Sequence, residues 1–141
     1  FVIPKLLGVD IGSTAVGIGV IALNSGAFIS EIVKGALMSI DPGQKEAGAS
    51  LGLTSAQTMI HLVIPPAFKV ALPVLFNQFI ISVKDTALLS AIAVNEITHQ
   101  AQAYAALSFK AIPTYTALAA FYLVILSVLI IVQKQIERKM R

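Results

Sequence analysis

The sequence predicts an all-α, polytopic bundle of membrane-spanning helices. Of its 141 residues 57% are hydrophobic and only 12% charged, with a mean hydropathy of +0.86. A soluble domain carries about 25% charged residues to hydrate its surface, so lipid is the natural solvent for this chain. Three apolar stretches approach the ~20 residues that cross a ~30 Å hydrocarbon layer, and a basic tail closes the last of them.

The first stretch, about 11–33, begins IGSTAVGIGVIALNSGAFI. Gly17, Gly19 and Gly26, with Ala15, Ala22 and Ala27, are poor choices for a soluble helix but allow close helix–helix approach in a membrane. Glu31 and Lys34 mark its exit into water or headgroups. Because Phe1 is not an initiator methionine and Phe1–Lys5 lacks a signal peptide's basic flank, the chain reads as starting partway through a longer protein.

Residues 41–65 read DPGQKEAGASLGLTSAQTMIHLVIP. Asp41-Pro42-Gly43 is turn chemistry, and Lys45 to Leu51 follows as a small-residue helix that Gly52 interrupts. Thr54 or Ser55 can N-cap a second short helix with Met59, Leu62 and Val63 on an apolar face. A helix–glycine–helix with a small-residue surface suits docking into a groove on another protein.

The middle stretch, about 66–94, carries Pro73, Asn77, Gln78, Lys84 and Asp85. A lipid-facing helix would not, since each unpaired polar group in hydrocarbon costs several kcal/mol. Either the helix is buried among others or it lines a path for something polar. Lys84 and Asp85 point ~100° apart on a helix, so at least one needs a partner elsewhere. Pro65, Pro66 and Pro73 cannot donate backbone hydrogen bonds and would start and kink this helix.

The last span, about 113–132, is clearest as YTALAAFYLVILSVLIIV from Tyr115 to Val132. The tail from Gln133 to Arg141 has four basic residues and one acid, which makes it cytoplasmic by the positive-inside rule. Alternation then puts 35–65 inside and 95–112 outside.

Several classes are excluded. The modest charge of +3 lacks the clustered basic face nucleic acid requires. With no cysteine, disulfides and thiolate chemistry are ruled out, and His61 and His99 lack the companions of a metal site. No paired acid and base, nor nucleophile beside a histidine, points to a membrane enzyme. An ion-driven secondary transporter would carry polar residues mid-membrane too, but gives no reason for residues 41–65. A non-transporting anchor is the third rival.

Residues 41–65 resemble the EAA loop of ABC importer permeases. Glu46-Ala47-Gly48, then Gly52, then Leu62-Val63-Ile64-Pro65 match its intervals, with Gly48 in place of the second Ala and Leu62 and Ile64 in place of Ile and Leu. Gly48 loosens the helix by about 1 kcal/mol relative to Ala. The likeness to polar amino-acid permeases extends over roughly 22–100, through Asn24–Glu31, Pro42–Ala47, Ala71-Leu72-Pro73, Asn77-Gln78-Phe79 and Lys84-Asp85-Thr86-Ala87-Leu88.

The resemblance implies the C-terminal part of a five-span permease in a bacterial cytoplasmic membrane. It implies a second permease chain, alike or related, and an extracytoplasmic amino-acid-binding protein. A separate ATPase subunit would seat the loop on a surface of Gly43, Glu46, Ala47, Gly48, Gly52, Leu62, Ile64 and Pro65. Glu46 would make the charged contact and Gly52 would set the angle between helices. This chain has no G-x-x-x-x-G-K-[ST] phosphate loop, so it cannot bind ATP in that way itself; the resemblance implies that it binds no cofactor and that ATP with its Mg sits on the partner. Asn24, Asn77, Gln78, Lys84, Asp85 and Thr86 are the candidates for a substrate path. The alternative for these residues is structural, satisfying one another or backbone groups between helices.

Overall fold

The structure, a computed structural model, describes residues 12–140; Ile11 and Arg141, at the limits of the first span and the tail, lie outside them. Every regular element among the described residues is helical: α1 (Ser13–Met38), α2 (Gly43–Ser50), α3 (Ser55–Ile92), α4 (Ile97–Ser108) and α5 (Ala111–Met140). Three of these, α1, α3 and α5, are long and apolar enough to cross a membrane. The predicted all-α class with three spans therefore stands. α1 runs through Glu31 and Lys34 to Met38, past the exit the charges predicted, because a helix continues into headgroups without losing its backbone bonds.

The third helix differs most from expectation. Rather than a short loop helix followed by a separate span, Ser55–Ile92 is one helix of 38 residues. It is α-helical over Ser55–Thr58, takes a π turn over Met59–Val63, returns to α over Ile64–Asp85 and tightens to a 3₁₀ helix over Thr86–Ile92. Pro65 and Pro66 have no N–H to offer the carbonyls four residues back, and the ladder widens there, with Ile64 N–H bonding the Met59 carbonyl. The wider turn sets the phase. Thr58, Val63, Ala67 and Ala71 are all buried, so a five-residue step followed by two four-residue steps keeps one face inward. Val63 is the most buried, whereas Leu62 is half-buried and Met59 exposed, which corrects the face predicted from simple α periodicity.

Segment 95–112, expected as an outer connection, holds α4. Glu96 caps it, its carboxylate accepting from Thr98 N–H at 2.9 Å and His99 N–H at 2.6 Å, which satisfies two otherwise orphaned donors. α4 ends at Phe109 in the left-handed region, φ 55. Pro113 then sits in the first turn of α5, where its missing N–H costs nothing.

The chain forms two compact units. Among the described residues, one comprises 12–25 with Ile80–Val132. In it Gly17 of α1 is buried against Leu89 and Val94: a Cβ there would lie 3.1 to 3.3 Å from their methyls. Ser25 and Ser82 share a hydrogen bond of 2.9 Å between α1 and α3, and Thr98 and the Tyr122 hydroxyl one of 3.2 Å between α4 and α5. Tyr122 is thus a packing residue as well as an aromatic of the span. The other unit comprises Gly26–Phe79 with the tail from Gln133. Its core is made of small residues, Ala36, Ala67 and Ala71, with Val63. Nothing in the apolar window of α5 is buried within the chain, which leaves that helix to lipid or to other helices.

Gly17→Leu should overpack its contact and lower the thermal midpoint of the purified full-length protein by several degrees, as insertions of about 1–3 kcal/mol do. Gly26→Leu, where a Cβ meets nothing within 4 Å, should leave it unchanged.

Candidate functional site

The segment that sequence singled out is built as a locked pair of helices. Asp41 opens it, its carboxylate accepting from Gly43 N–H at 2.8 Å and its carbonyl from Gln44 N–H at 3.0 Å. α2 follows, with Glu46 in its first turn, where a negative charge meets the positive end of the helix dipole. Leu53 N–H reaches the Gly48 carbonyl and Gly52 N–H the Ala49 carbonyl, both at 3.0 Å. That pairing is a Schellman close, and it needs a left-handed residue, which Gly52 supplies at φ 75. Thr54 and Gln57 then form a reciprocal capping box at the start of α3, with Gln57 Oε1 accepting from Thr54 N–H at 2.9 Å and Thr54 Oγ1 from Gln57 N–H at 3.3 Å. His61 Nδ1 lies 2.9 Å from the Gln57 carbonyl, extending the same first turn.

The two helices meet at Gly48 and Thr58, both buried. A Cβ on Gly48 would fall 2.5 Å from Thr58 Oγ1, 2.6 Å from its Cγ2 and 3.1 Å from its Cβ. The glycine, read from sequence as a loosening of the helix, is what lets α2 lie directly on α3. Beside the contact is a cleft of about 270 Å³ lined by Lys45, Ala49, Leu53, Ser55 and Met59. Gly43, Glu46, Ala47 and Gly52 are exposed on α2 and its turn, as are Ile64 and Pro65 on α3. Of the eight residues, six are therefore exposed, Leu62 is half-buried and Gly48 is buried in the contact.

The six path candidates do not fall in one unit. Asn77 and Gln78 belong to one, and Asn24, Lys84, Asp85 and Thr86 to the other. Asn24, Asn77 and Lys84 are exposed or half-exposed along their helices, Asp85 and Thr86 half-buried, and Gln78 buried. The Thr86 hydroxyl is used locally, donating to the Val83 carbonyl at 2.7 Å, and Asp85 makes no side-chain cap to the 3₁₀ segment it precedes. Among the described residues no group of three His, Cys, Asp or Glu side chains could hold a metal ion.

Sequence reasoning missed Thr58, and it missed Ser25 and Ser82. Small polar residues inside apolar spans were the available signal for the serines. Thr54-x-x-Gln57 was a legible capping box.

Residues 2–141 match the family model described as binding-protein-dependent transport system inner membrane component. The chain is 45% identical over 121 residues to the glutamine transport system permease protein GlnP of Escherichia coli K12, which covers 86% of this chain and 55% of the relative. It is 40% identical over 120 residues to the L-cystine transport system permease protein TcyB of Bacillus subtilis, covering 84% and 51%. It is 30% identical over 141 residues to the arginine transport system permease protein ArtQ of the same species, covering 100% and 64%. The chain thus spans about half to two thirds of the length of these relatives. Among solved structures it resembles the crystal structure of an amino acid ABC transporter with histidines, with TM-score 0.92 and 33% identity, covering 96% of this chain and 64% of that one.

Gly48→Ala should destabilise the α2–α3 contact by about 1–3 kcal/mol, read as faster amide exchange over residues 43–53 in the full-length protein. Adding Thr58→Gly should restore most of the protection, a coupling that independent sites would not show.

Proposed function

We propose a function from one premise: the chain belongs to the family of binding-protein-dependent transport system inner membrane components. In that reading it is the C-terminal part of a permease subunit that passes polar amino acids across the bacterial cytoplasmic membrane. The work comes from a separate ATPase subunit that seats the α2–α3 element, and ATP and Mg belong to that subunit. A second permease chain and an extracytoplasmic amino-acid-binding protein complete the machine. The basic end of α5 then faces the cytoplasm, as does the 41–65 segment.

The observation that carries the reading is the α2–α3 element itself. Its Glu46, Gly48, Gly52 and Leu62–Pro65 stand in the register of the EAA loop, and it folds as a closely packed helix pair with Glu46 and Ala47 exposed. The similarity to glutamine, cystine and arginine permeases supports polar amino acids as the substrate class.

In this reading force passes through the α2–α3 contact. A displacement of α2 reaches α3 through Gly48 on Thr58, where the glycine leaves no side chain of its own to absorb it. Thr58 lies on the same 38-residue helix as the middle span, so the push arrives in the membrane without crossing a loop. Pro65 and Pro66, just beyond the π turn, leave the backbone ladder without two donors and are where α3 can change angle. Asn24, Asn77, Gln78, Lys84, Asp85 and Thr86 would offer dipoles and charge to a zwitterion that leaves water.

The test is co-purification of the full-length protein, wild type and Glu46→Lys, from membranes in detergent. Wild type should bring a stoichiometric ATPase whose turnover rises with amino-acid-loaded binding protein. Glu46→Lys should lose the subunit, or most of its stimulation, while remaining folded. Failure of both forms to bind an ATPase would overturn the reading and leave an ion-gradient-driven transporter of small polar solutes to be tested.

A further inference from the structure

α4 runs back alongside the first turns of α5. The Thr98–Tyr122 hydrogen bond joins the start of α4 to a point well inside α5, and the elbow at Phe109 and Lys110 joins their other ends. Between the two helices lies a groove of about 580 Å³, lined by Ile97, Ala101 and Tyr104 from α4 and by Ala117, Leu118 and Phe121 from α5. Lys110 closes it at the elbow.

The polar groups along the groove are unevenly placed. Gln100 gives its amide to Asn95 at 2.7 Å and Thr114 its hydroxyl to the Lys110 carbonyl at 2.7 Å. The Gln100 carbonyl oxygen, the Tyr104 hydroxyl and the Lys110 ammonium remain, and of these Lys110 stands at the elbow. The rest is apolar.

Depth along the bilayer follows from the span. About 20 residues counted back from the polar tail at Gln133 put the far edge of the hydrocarbon near Pro113. Lys110 then stands ~5 Å beyond that edge, in the headgroup layer, and Phe121 lies ~12 Å inside it. The groove therefore crosses most of one leaflet, about half of a ~30 Å core, with a cation at its headgroup end. Around the mouth, Leu107, Phe109 and Ile112 are 84%, 92% and 83% exposed. Phe109 is displayed there by a left-handed backbone that a bulky residue rarely adopts. Apolar side chains flanking a lysine at an interface are the composition that meets acyl chains and lipid phosphate together.

We infer that the α4–α5 groove binds one phospholipid with an anionic headgroup, its acyl chain lying along Tyr104, Ala101 and Leu118 and its phosphate meeting Lys110. The groove opens along α5, whose apolar window is unburied within the chain, so the occupant enters sideways from the bilayer. The inference rests on the chain spanning a membrane and is independent of what is transported.

The chain contains no tryptophan, which makes a local reporter simple. Tyr104→Trp is placed in the full transporter complex in lipid nanodiscs, and its emission is read as the difference from the same complex without the substitution. Small mole fractions of phosphatidylglycerol or phosphatidylcholine brominated on the acyl chains serve as quenchers. The brominated phosphatidylglycerol should quench about fivefold more effectively, the preference one lysine confers near a membrane surface. Lys110→Gln should abolish that preference while leaving quenching by phosphatidylcholine unchanged. Equal quenching by both lipids with Lys110 present would mean ordinary surrounding lipid and would overturn the proposal. So would an indole at position 104 that neither lipid reaches, whether a protein partner or water fills the groove. Leu118→Trp repeats the measurement deeper in the same groove if the first substitution disturbs folding.

Discussion

α2 rests on α3 at a point where one of the two partners has no side chain at all. The closeness of Gly48 to Thr58, which a single methyl group would turn into a 2.5 Å clash, demands that both helices arrive there in fixed register. Gly52 in its left-handed turn and the Thr54–Gln57 box deliver that register from the chain side. The π turn delivers it from the span side, by holding Thr58 and Val63 on one face despite the prolines that follow. Removing any of the three would rotate Thr58 away from the glycine or open the turn. The element is thus over-determined locally.

Elsewhere the chain is loosely committed to itself. The buried residues are few and mostly small, and the long helices present large apolar side chains outward. In water that would be a fault. In a bilayer the backbone is already satisfied within each helix, so stability does not require a large core. Close approach at Gly17 and hydrogen bonds such as Ser25–Ser82 and Thr98–Tyr122 then carry helix association. The long α5, with none of its apolar window buried, follows the same pattern.

Hydropathy made the three spans legible, because a bilayer punishes charge over a fixed length and the sequence obeys. The motif spacing from Glu46 to Pro65 was legible for a different reason: turn and cap chemistry is local, and Gly52, Thr54 and Gln57 act within a few residues. What escaped was nonlocal or depended on phase. The role of Gly48 is invisible without the approach of Thr58, and helix propensity alone gives it the opposite sign. One widened turn centred the buried face on Val63 rather than on Leu62 and Met59, a change that simple periodicity cannot register. α4 escaped because its polar start at Asn95–Gln100 reads as a solvated connection, whereas Glu96 is engaged in capping a helix. The polar residues of the middle span were found by composition, but their division between two units was not.

If α2 is the face offered to a separate ATP-hydrolysing subunit, a crosslink can catch it there. The chain lacks cysteine, so Ala47→Cys, exposed beside Glu46, introduces a thiol at a known place. In native membranes holding the full-length protein and its co-expressed partners, a short thiol–amine crosslinker should join position 47 to the ATPase subunit. The yield should change when ATP is supplied and hydrolysis is blocked. A thiol at position 47 that reacts freely with a water-soluble maleimide, with and without the partners, and crosslinks to no ATPase would contradict the account.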